Sequence, residues 1–326
     1  MNARKILAVT VLVVFVYGAF IFYNDIHRLR AALSHYAWWT FAVALALAAG
    51  NYLLRFLKWQ YYLARLGVEG VPWIESLVVF LAGFALSITP AKAGEVFKSA
   101  LLSSARAVPI TRTAPIVIAD RLTDLISLIL IAVVGSFWFE GGRWPAVMAS
   151  VMVALMMLFI LVPPIGEFVI GIIERFPVGR AIAPKARDAY AALRLLAGPS
   201  ALFIPTLLSL VAWALECVAL WIVVRGLGAN ASMAVSFFTY AVATIAGAVM
   251  MLPGGVGGTE ATMEALLLQL TNPRMAQEAA AGATLLVRFA TLWFAVLVGA
   301  LALAVFRRKY DRNMVATVVP DDAPRA

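Results

Sequence analysis

The 326-residue chain is 63% hydrophobic and only 13% charged, with a mean hydropathy of +0.94, whereas soluble domains run at about 45–50% apolar and ~25% charged. That composition excludes an ordinary soluble protein, and apolar runs recurring from residue 6 to residue 306 leave no stretch for a separate water-soluble catalytic domain. The 26 Lys and Arg against 17 Asp and Glu would form a basic stripe in a nucleic-acid binder; here most of them gather in short loops between apolar runs, the pattern of membrane topology and anionic-lipid contact.

Arg4 and Lys5 precede the apolar run 6–23. Such a start also fits a signal peptide, but the run is long enough to span, and Phe20, Ile21, Phe22 and Tyr23 offer no small-residue cleavage site. Further runs of spanning length occupy 37–56, 114–139, 145–173, 200–224 and 279–306, making six crossings. Two more apolar segments, 73–105 and 232–270, are broken near their middles. The first break reads Thr89-Pro90-Ala91-Lys92-Ala93-Gly94-Glu95 and the second Pro253-Gly254-Gly255-Val256-Gly257-Gly258-Thr259-Glu260. Non-helical backbone at membrane depth is tolerated only inside protein or along a cavity, so each segment is read as a re-entrant helical hairpin.

With both termini cytoplasmic, 17 basic residues fall inside, 5 fall outside, and Lys92, Lys98, Arg121 and Arg288 stay embedded. A full crossing at 73–105 would move Arg175, Arg180, Lys185, Arg187 and Arg194 outside, against the positive-inside bias. The expected fold is therefore an all-α polytopic membrane protein with six full spans and two re-entrant hairpins. One membrane domain covers 1–310, with halves of about 1–140 and 145–306, and a polar cytoplasmic tail follows over 311–326. Each half runs span, span, hairpin, span, and an odd number of crossings turns the second half upside down, an inverted repeat of the transporter kind. Ala82-Gly83 before Pro90, with Glu95 and Arg121 after it, is echoed by Ala246-Gly247 before Pro253, with Glu260 and Arg288 after it.

A charged side chain at bilayer depth costs about 2.5–3.5 kcal/mol on insertion scales, so each embedded one is a functional candidate. Lys92, Glu95 and Lys98 surround the first break, where a helix N-terminus and two lysines suit an anion, or where Glu95 and Lys98, three apart, neutralise each other. Gly254, Gly255, Gly257 and Gly258 either form an anion-binding nest or permit a tight turn. Glu260 and Glu264 are like charges four apart, for which Arg288 is the natural counter-ion. Asp120, Arg121 and Asp124 share a helix face that grips a phosphate bidentately or locks helices together by an internal salt bridge. Glu216 lies deep in a span as a proton carrier or, in the preferred reading, a neutral hydrogen-bonded acid.

Arg55, Lys58 and Trp59 read as snorkelling anchors at the cytoplasmic edge of the second span. Trp38, Trp39, Trp73, Trp138 and Trp144 read as interface anchors, and the basic loop 174–199 as an amphipathic segment on anionic lipid. A single Cys217 and two histidines, His27 and His35 in one loop, provide no internal disulfide and no metal cluster. The sequence has no phosphate-binding loop, no H-E-x-x-H and no nucleophile–base constellation. Neither catalysis nor a cofactor is expected.

These residues resemble a known family, the flippase-like membrane domain of lysylphosphatidylglycerol synthases with its stand-alone relatives. The resemblance covers about residues 5–306. It rests on Arg55 with Lys58-Trp59, on Pro90 to Glu95 with Lys98, on Asp120-Arg121 with Asp124, and most specifically on the glycine run Pro253 to Gly258 with Glu260. It implies movement of lipids between leaflets, relatives being associated with aminoacylated phospholipids, polyprenyl-linked sugars or hopanoids. Lys92, Lys98 and Asp120 stand where arginine and glutamate are expected in relatives, which keeps the charge but loses bidentate phosphate geometry at the lysines. Only a short polar tail follows residue 310, so aminoacyl transfer is not expected.

The expectation is a lipid translocase of the bacterial inner membrane. Lys92, Lys98, Arg121, Arg288 and the four glycines would hold an anionic phospholipid or polyprenyl-linked headgroup, while Glu95, Asp120, Asp124, Glu216 and Glu260 balance charge or couple protons. Its partners would be membrane lipids and a separate synthase or glycosyltransferase, without nucleic acid. The alternatives are a non-transporting partner of a lipid-modifying synthase, or an enzyme acting on a lipid headgroup.

Overall fold

The computed structural model describes residues 30, 33–88, 96–138, 162–175, 199–250 and 253–310, together with positions 147, 151, 187, 190, 191 and 196. The first expected span, the first break with Lys92 and Glu95, Trp144, most of 145–161 and of the basic loop, and the tail lie outside the described residues.

Every described element is helical. In chain order they are α1 (Trp38–Arg65), α2 (Trp73–Ala82) with a 3₁₀ turn (Gly83–Leu86), α3 (Phe97–Arg106), α4 (Ile110–Ser136), α5 (Pro163–Glu174) and α6 (Pro199–Gly226). Then follow α7 (Met233–Val249), a 3₁₀ turn (Pro253–Gly255), α8 (Gly258–Leu270), α9 (Gln277–Arg288), a π turn (Phe289–Trp293) and α10 (Phe294–Tyr310). Among the described residues three continuous helices, Trp38–Arg65, Ala201–Gly226 and Gln277–Arg308, are long and apolar enough to cross a membrane. At about 1.5 Å per residue, the 28 residues of α1 reach beyond a ~30 Å hydrocarbon core.

Helix ends are set locally. Ser232 caps α7 by accepting the Val235 N–H at 3.2 Å. The C-terminus of α1 is closed by a residue from another helix: the Arg112 guanidinium donates to the Leu66 carbonyl at 2.6 Å and the Gly67 carbonyl at 3.2 Å. This satisfies carbonyls that a helix end leaves open and joins the end of α1 to the start of α4. The two helices of the second broken segment, α7 and α8, pack side by side, as do α2 and α3.

α1 and α6 form the central pair and run antiparallel. Ala37 N–H meets the Gly226 carbonyl at one end, the Asn51 amide meets the Ala212 carbonyl midway, and Lys58 meets Ser209 further along. α2 and its 3₁₀ turn pack on α10, and α7 packs on α4. Among the described residues the two large buried apolar clusters lie around Leu220, Val223, Ala241, Met263 and Val287, and around Phe56, Trp59, Tyr62, Phe80 and Phe306. Large apolar side chains also face outward, among them Trp38, Ile74, Phe137, Phe203 and Val249. On a water-soluble monomer that much exposed apolar surface would drive association; acyl chains cover it without cost. Trp38, Trp39, Trp73 and Trp138 are all exposed, at helix ends, as interface anchors are.

Candidate functional site

The polar face of α1 comes from Asn51, Arg55, Lys58 and Tyr62, spaced four, three and four and therefore on one side of the helix. That face meets Asp120, Thr123 and Asp124 of α4, the second and third of which follow the first by three and four positions. Lys58 Nζ lies 2.6 Å from Asp120 Oδ1 and 2.7 Å from Asp124 Oδ1, and donates to Ser209 Oγ at 2.6 Å. Arg55 Nη2 lies 2.7 Å from Asp124 Oδ2 and 3.4 Å from Asp120 Oδ2, its guanidinium 5.6 Å from the centre of the Trp213 ring.

The snorkelling reading of Arg55 and Lys58 is therefore corrected. Lys58 has no exposed surface, because two aspartates from α4 supply inside the protein the counter-charge that an anchor finds in headgroups. Asp120 and Asp124, expected around Arg121, also meet Arg55 and Lys58 through the bonds above.

The glycine-rich break turns the chain from α7 into α8 through positive φ at Gly254 (62°), Gly255 (68°) and Gly257 (91°), which β-carbon-bearing residues rarely adopt. It is also tightly packed: a Cβ on Gly247 would stand 2.0 Å from Thr259 Oγ1, and one on Gly258 2.4 Å from Met250 Sδ. Glu260 holds the turn from within. One of its oxygens accepts the Gly257 N–H at 2.7 Å, and the other meets Arg288 Nε at 2.7 Å. The same guanidinium donates to the Gly254 carbonyl at 2.7 Å. Arg288 is thus the counter-ion of Glu260, as its position in the sequence suggested, and it clasps both sides of the break.

Between α1, α4, α6, α7, the break and the π turn lies a cavity of about 360 Å³. Three guanidiniums (Arg55, Arg121 and Arg288) and two carboxylates (Asp124 and Glu216) stand on its wall, with Gly254 and Gly255. Glu216 accepts a short hydrogen bond from the Tyr240 hydroxyl. Asp120, Glu260, Gly257 and Gly258 do not line the cavity; they brace the residues that do. Nor does Lys98. Its ammonium lies 5.5 Å from the Trp59 ring centre and 5.1 Å from that of Phe80, in cation–π geometry, and its stem packs on Gly83.

Asn51, Tyr52, Ser209, Trp213 and Tyr240 were not singled out from the sequence. The period of four and three through Asn51, Arg55, Lys58 and Tyr62 is the signal that could have found the first, since a polar stripe on an otherwise apolar helix marks the face turned to protein.

Described residues that are helical in every element, with apolar helices of spanning length, an apolar exterior and charges gathered inside, define an integral polytopic membrane protein. The profile of the family described as Lysylphosphatidylglycerol synthase TM region matches residues 6–299, and the chain belongs to that family. Among curated relatives it is similar to two proteins of Methanothermobacter thermautotrophicus, each called "UPF0104 membrane protein". One is 22% identical over 262 residues, covering 73% of this chain and 77% of the relative; the other is 24% identical over 288 residues, covering 81% and 82%.

Proposed function

We propose that the protein moves a lipid between leaflets, its anionic headgroup entering the central cavity while the acyl chains remain in the bilayer. The observation that carries this reading is the wall of that cavity. Arg55, Arg121 and Arg288 supply donors for a phosphate, and Asp124 and Glu216 offset their charge in the empty state. A transporter pays the cost of embedded charge because the substrate carries charge through. Proton coupling at Glu216 belongs to the same reading, since it lines the path.

The architecture proposed is six spans and two re-entrant hairpins in an inverted repeat, placed in the cytoplasmic membrane with both termini inside. The reciprocal packing supports it: α2 of one half rests on α10 of the other, and α7 of the second half on α4 of the first, as a two-fold axis through the antiparallel pair α1 and α6 requires. Transport involves no bond-making, so the protein acts as a carrier of lipids, with a separate synthase or glycosyltransferase as the source of its cargo.

Reconstitution into liposomes tests the proposal. Wild type exposes labelled anionic lipid to an external quencher, and Arg121→Ala and Glu260→Gln, while folded, lose at least about tenfold of that rate, as expected when one charge-assisted contact is removed. If no lipid moves and both variants support growth, the protein is instead a non-transporting partner of a synthase.

A further inference from the structure

We propose that a groove at one end of the α1 and α6 pair, apart from the central cavity, holds an anionic phospholipid by its phosphate, and that Arg225 is the side chain that binds it. The groove has a volume of about 330 Å³ and is lined by Trp39 and Thr40 of α1 and by Trp221, Ile222, Arg225 and Gly226 of α6. None of these residues lines the central cavity. The two helices are in close contact here: the Ala37 N–H donates to the Gly226 carbonyl at 2.9 Å, and a Cβ on Gly226 would stand 2.2 Å from Thr40 Oγ1. The Thr40 hydroxyl is held by the Tyr36 hydroxyl and the Ala37 carbonyl.

Arg225 is exposed, and its guanidinium lies 4.6 Å from the centre of the Trp221 ring. Stacking of this kind restrains a long side chain while leaving its N–H donors, which lie in the guanidinium plane, open to an acceptor. Among the described residues no carboxylate pairs with Arg225 and no carbonyl accepts from it. Arg55, Arg106, Arg187 and Arg288, by contrast, each meet a carboxylate. The positive end of α1 and the negative end of α6 meet at the groove and offset each other, so its charge is that of Arg225.

Position along the helices decides which anion is available. Trp38 and Trp39 stand exposed at the start of α1, and Arg225 precedes the last residue of α6. Aromatic and basic side chains at the ends of spanning helices lie at headgroup level, where the acceptors at hand are lipid phosphates. Trp39, Trp221 and Ile222 offer apolar surface beside the guanidinium, which suits the upper part of an acyl chain. A phospholipid uses both features, whereas free phosphate uses only the charge. At about 330 Å³ the groove falls at the small end of ligand pockets, ~300–1,000 Å³, with room for a headgroup and its glycerol while the tails stay in the bilayer. No acidic residue lines it among those described, so a lipid of net negative charge is favoured over a zwitterionic one.

The test places the full chain in phosphatidylcholine nanodiscs with phosphatidylglycerol that carries a photoreactive group at the top of one acyl chain, and maps the adducts by mass spectrometry. Phe203, Ile204 and Leu207, exposed on the same helix, report ordinary lipid contact. Label at 37–40 and 221–226 is expected to exceed label at those three by about fivefold, the worth of one basic side chain toward an anionic lipid. A diacylglycerol probe with the same chain, lacking phosphate, is expected to label both regions evenly. Arg225→Gln is expected to bring phosphatidylglycerol to the diacylglycerol pattern, with an unchanged unfolding midpoint in detergent. Excess inorganic phosphate is expected to leave the enrichment intact. Even labelling of wild type by phosphatidylglycerol overturns the proposal without recourse to a variant, as does enrichment that survives in Arg225→Gln. Loss of the enrichment to inorganic phosphate overturns it in favour of a simple anion site. Arg121→Ala, which alters the central cavity alone, is expected to keep the enrichment; its loss there would assign the lipid to the cavity. The outcome is independent of whether the protein moves lipid.

Discussion

Lys58 is the charged side chain whose role changed most between sequence and structure. Enclosed by Asp120, Asp124, Thr123 and Ser209, it fastens α1 to α4 and α6. Buried ion pairs do little for stability compared with apolar packing, but removing one partner leaves an uncompensated charge and costs about 3–5 kcal/mol. Lys58→Met is therefore expected to lower the unfolding midpoint in detergent sharply, whereas Lys58→Met combined with Asp120→Asn recovers more than half of the loss. Equal midpoints for Lys58→Met and wild type would mean that the cluster does not hold the helices. Sequence reasoning saw Asp120 and Asp124 as a charged face and missed their partners, because Lys58 and Asp124 are 66 positions apart. It identified Arg288 as the partner of Glu260 because embedded charges are few, and matching opposite signs left little choice.

Helix boundaries were legible wherever they depend on nearby residues. The spans expected at 200–224 and 279–306 correspond to α6 and to the continuous helix Gln277–Arg308. The span expected at 37–56 runs on to Arg65; polar residues after 56 suggested its end, yet the helix continues because Lys58 finds its counter-charges in protein. How closely helices approach is a matter of individual small residues. On α10, a Cβ at Gly299 would come 2.1 Å from the Ala85 nitrogen and 2.5 Å from the Phe84 carbonyl carbon, both backbone atoms of the 3₁₀ turn. Gly299→Ala is expected to cost about 1–3 kcal/mol through overpacking. Gly171 in α5 has nothing within 4 Å of such a Cβ, so Gly171→Ala is expected to be neutral or to stabilise by up to ~1 kcal/mol. Thermal unfolding of the two variants side by side checks the contrast; a Gly299→Ala protein as stable as wild type would refute the flush contact.

For the whole molecule, the decisive matter is which ends of the helices share a side of the membrane. Six spans with two hairpins put positions 69 and 104 on the cytoplasmic side and positions 230 and 274 on the other. Single substitutions Glu69→Cys, Ser104→Cys, Asn230→Cys and Arg274→Cys lie at exposed positions, and Cys217 is buried, so native background is low. An impermeant thiol reagent applied to intact cells is expected to label only the last two, and all four after permeabilisation. Labelling of 69 and 104 from opposite sides would make the first broken segment a full crossing and end the inverted repeat.

By itself, the sequence determined that this chain lies in a membrane as helices, roughly where those helices run, and that a glycine-rich turn with Glu260 and Arg288 interrupts one of them. Hydropathy, helical period and turn chemistry are properties of neighbouring residues and need no fold to be read. Only the tertiary structure decided that Arg55 and Lys58 face inward, that Lys98 rests on two aromatic rings outside the cavity, that Tyr240 reaches Glu216, and that the Asn51 amide ties α1 to the Ala212 carbonyl of α6. Those outcomes depend on pairs such as Lys58 with Ser209, 151 positions apart. Their meeting follows from how whole helices pack, since burial of a charge is tolerable only where a distant segment brings its counterpart.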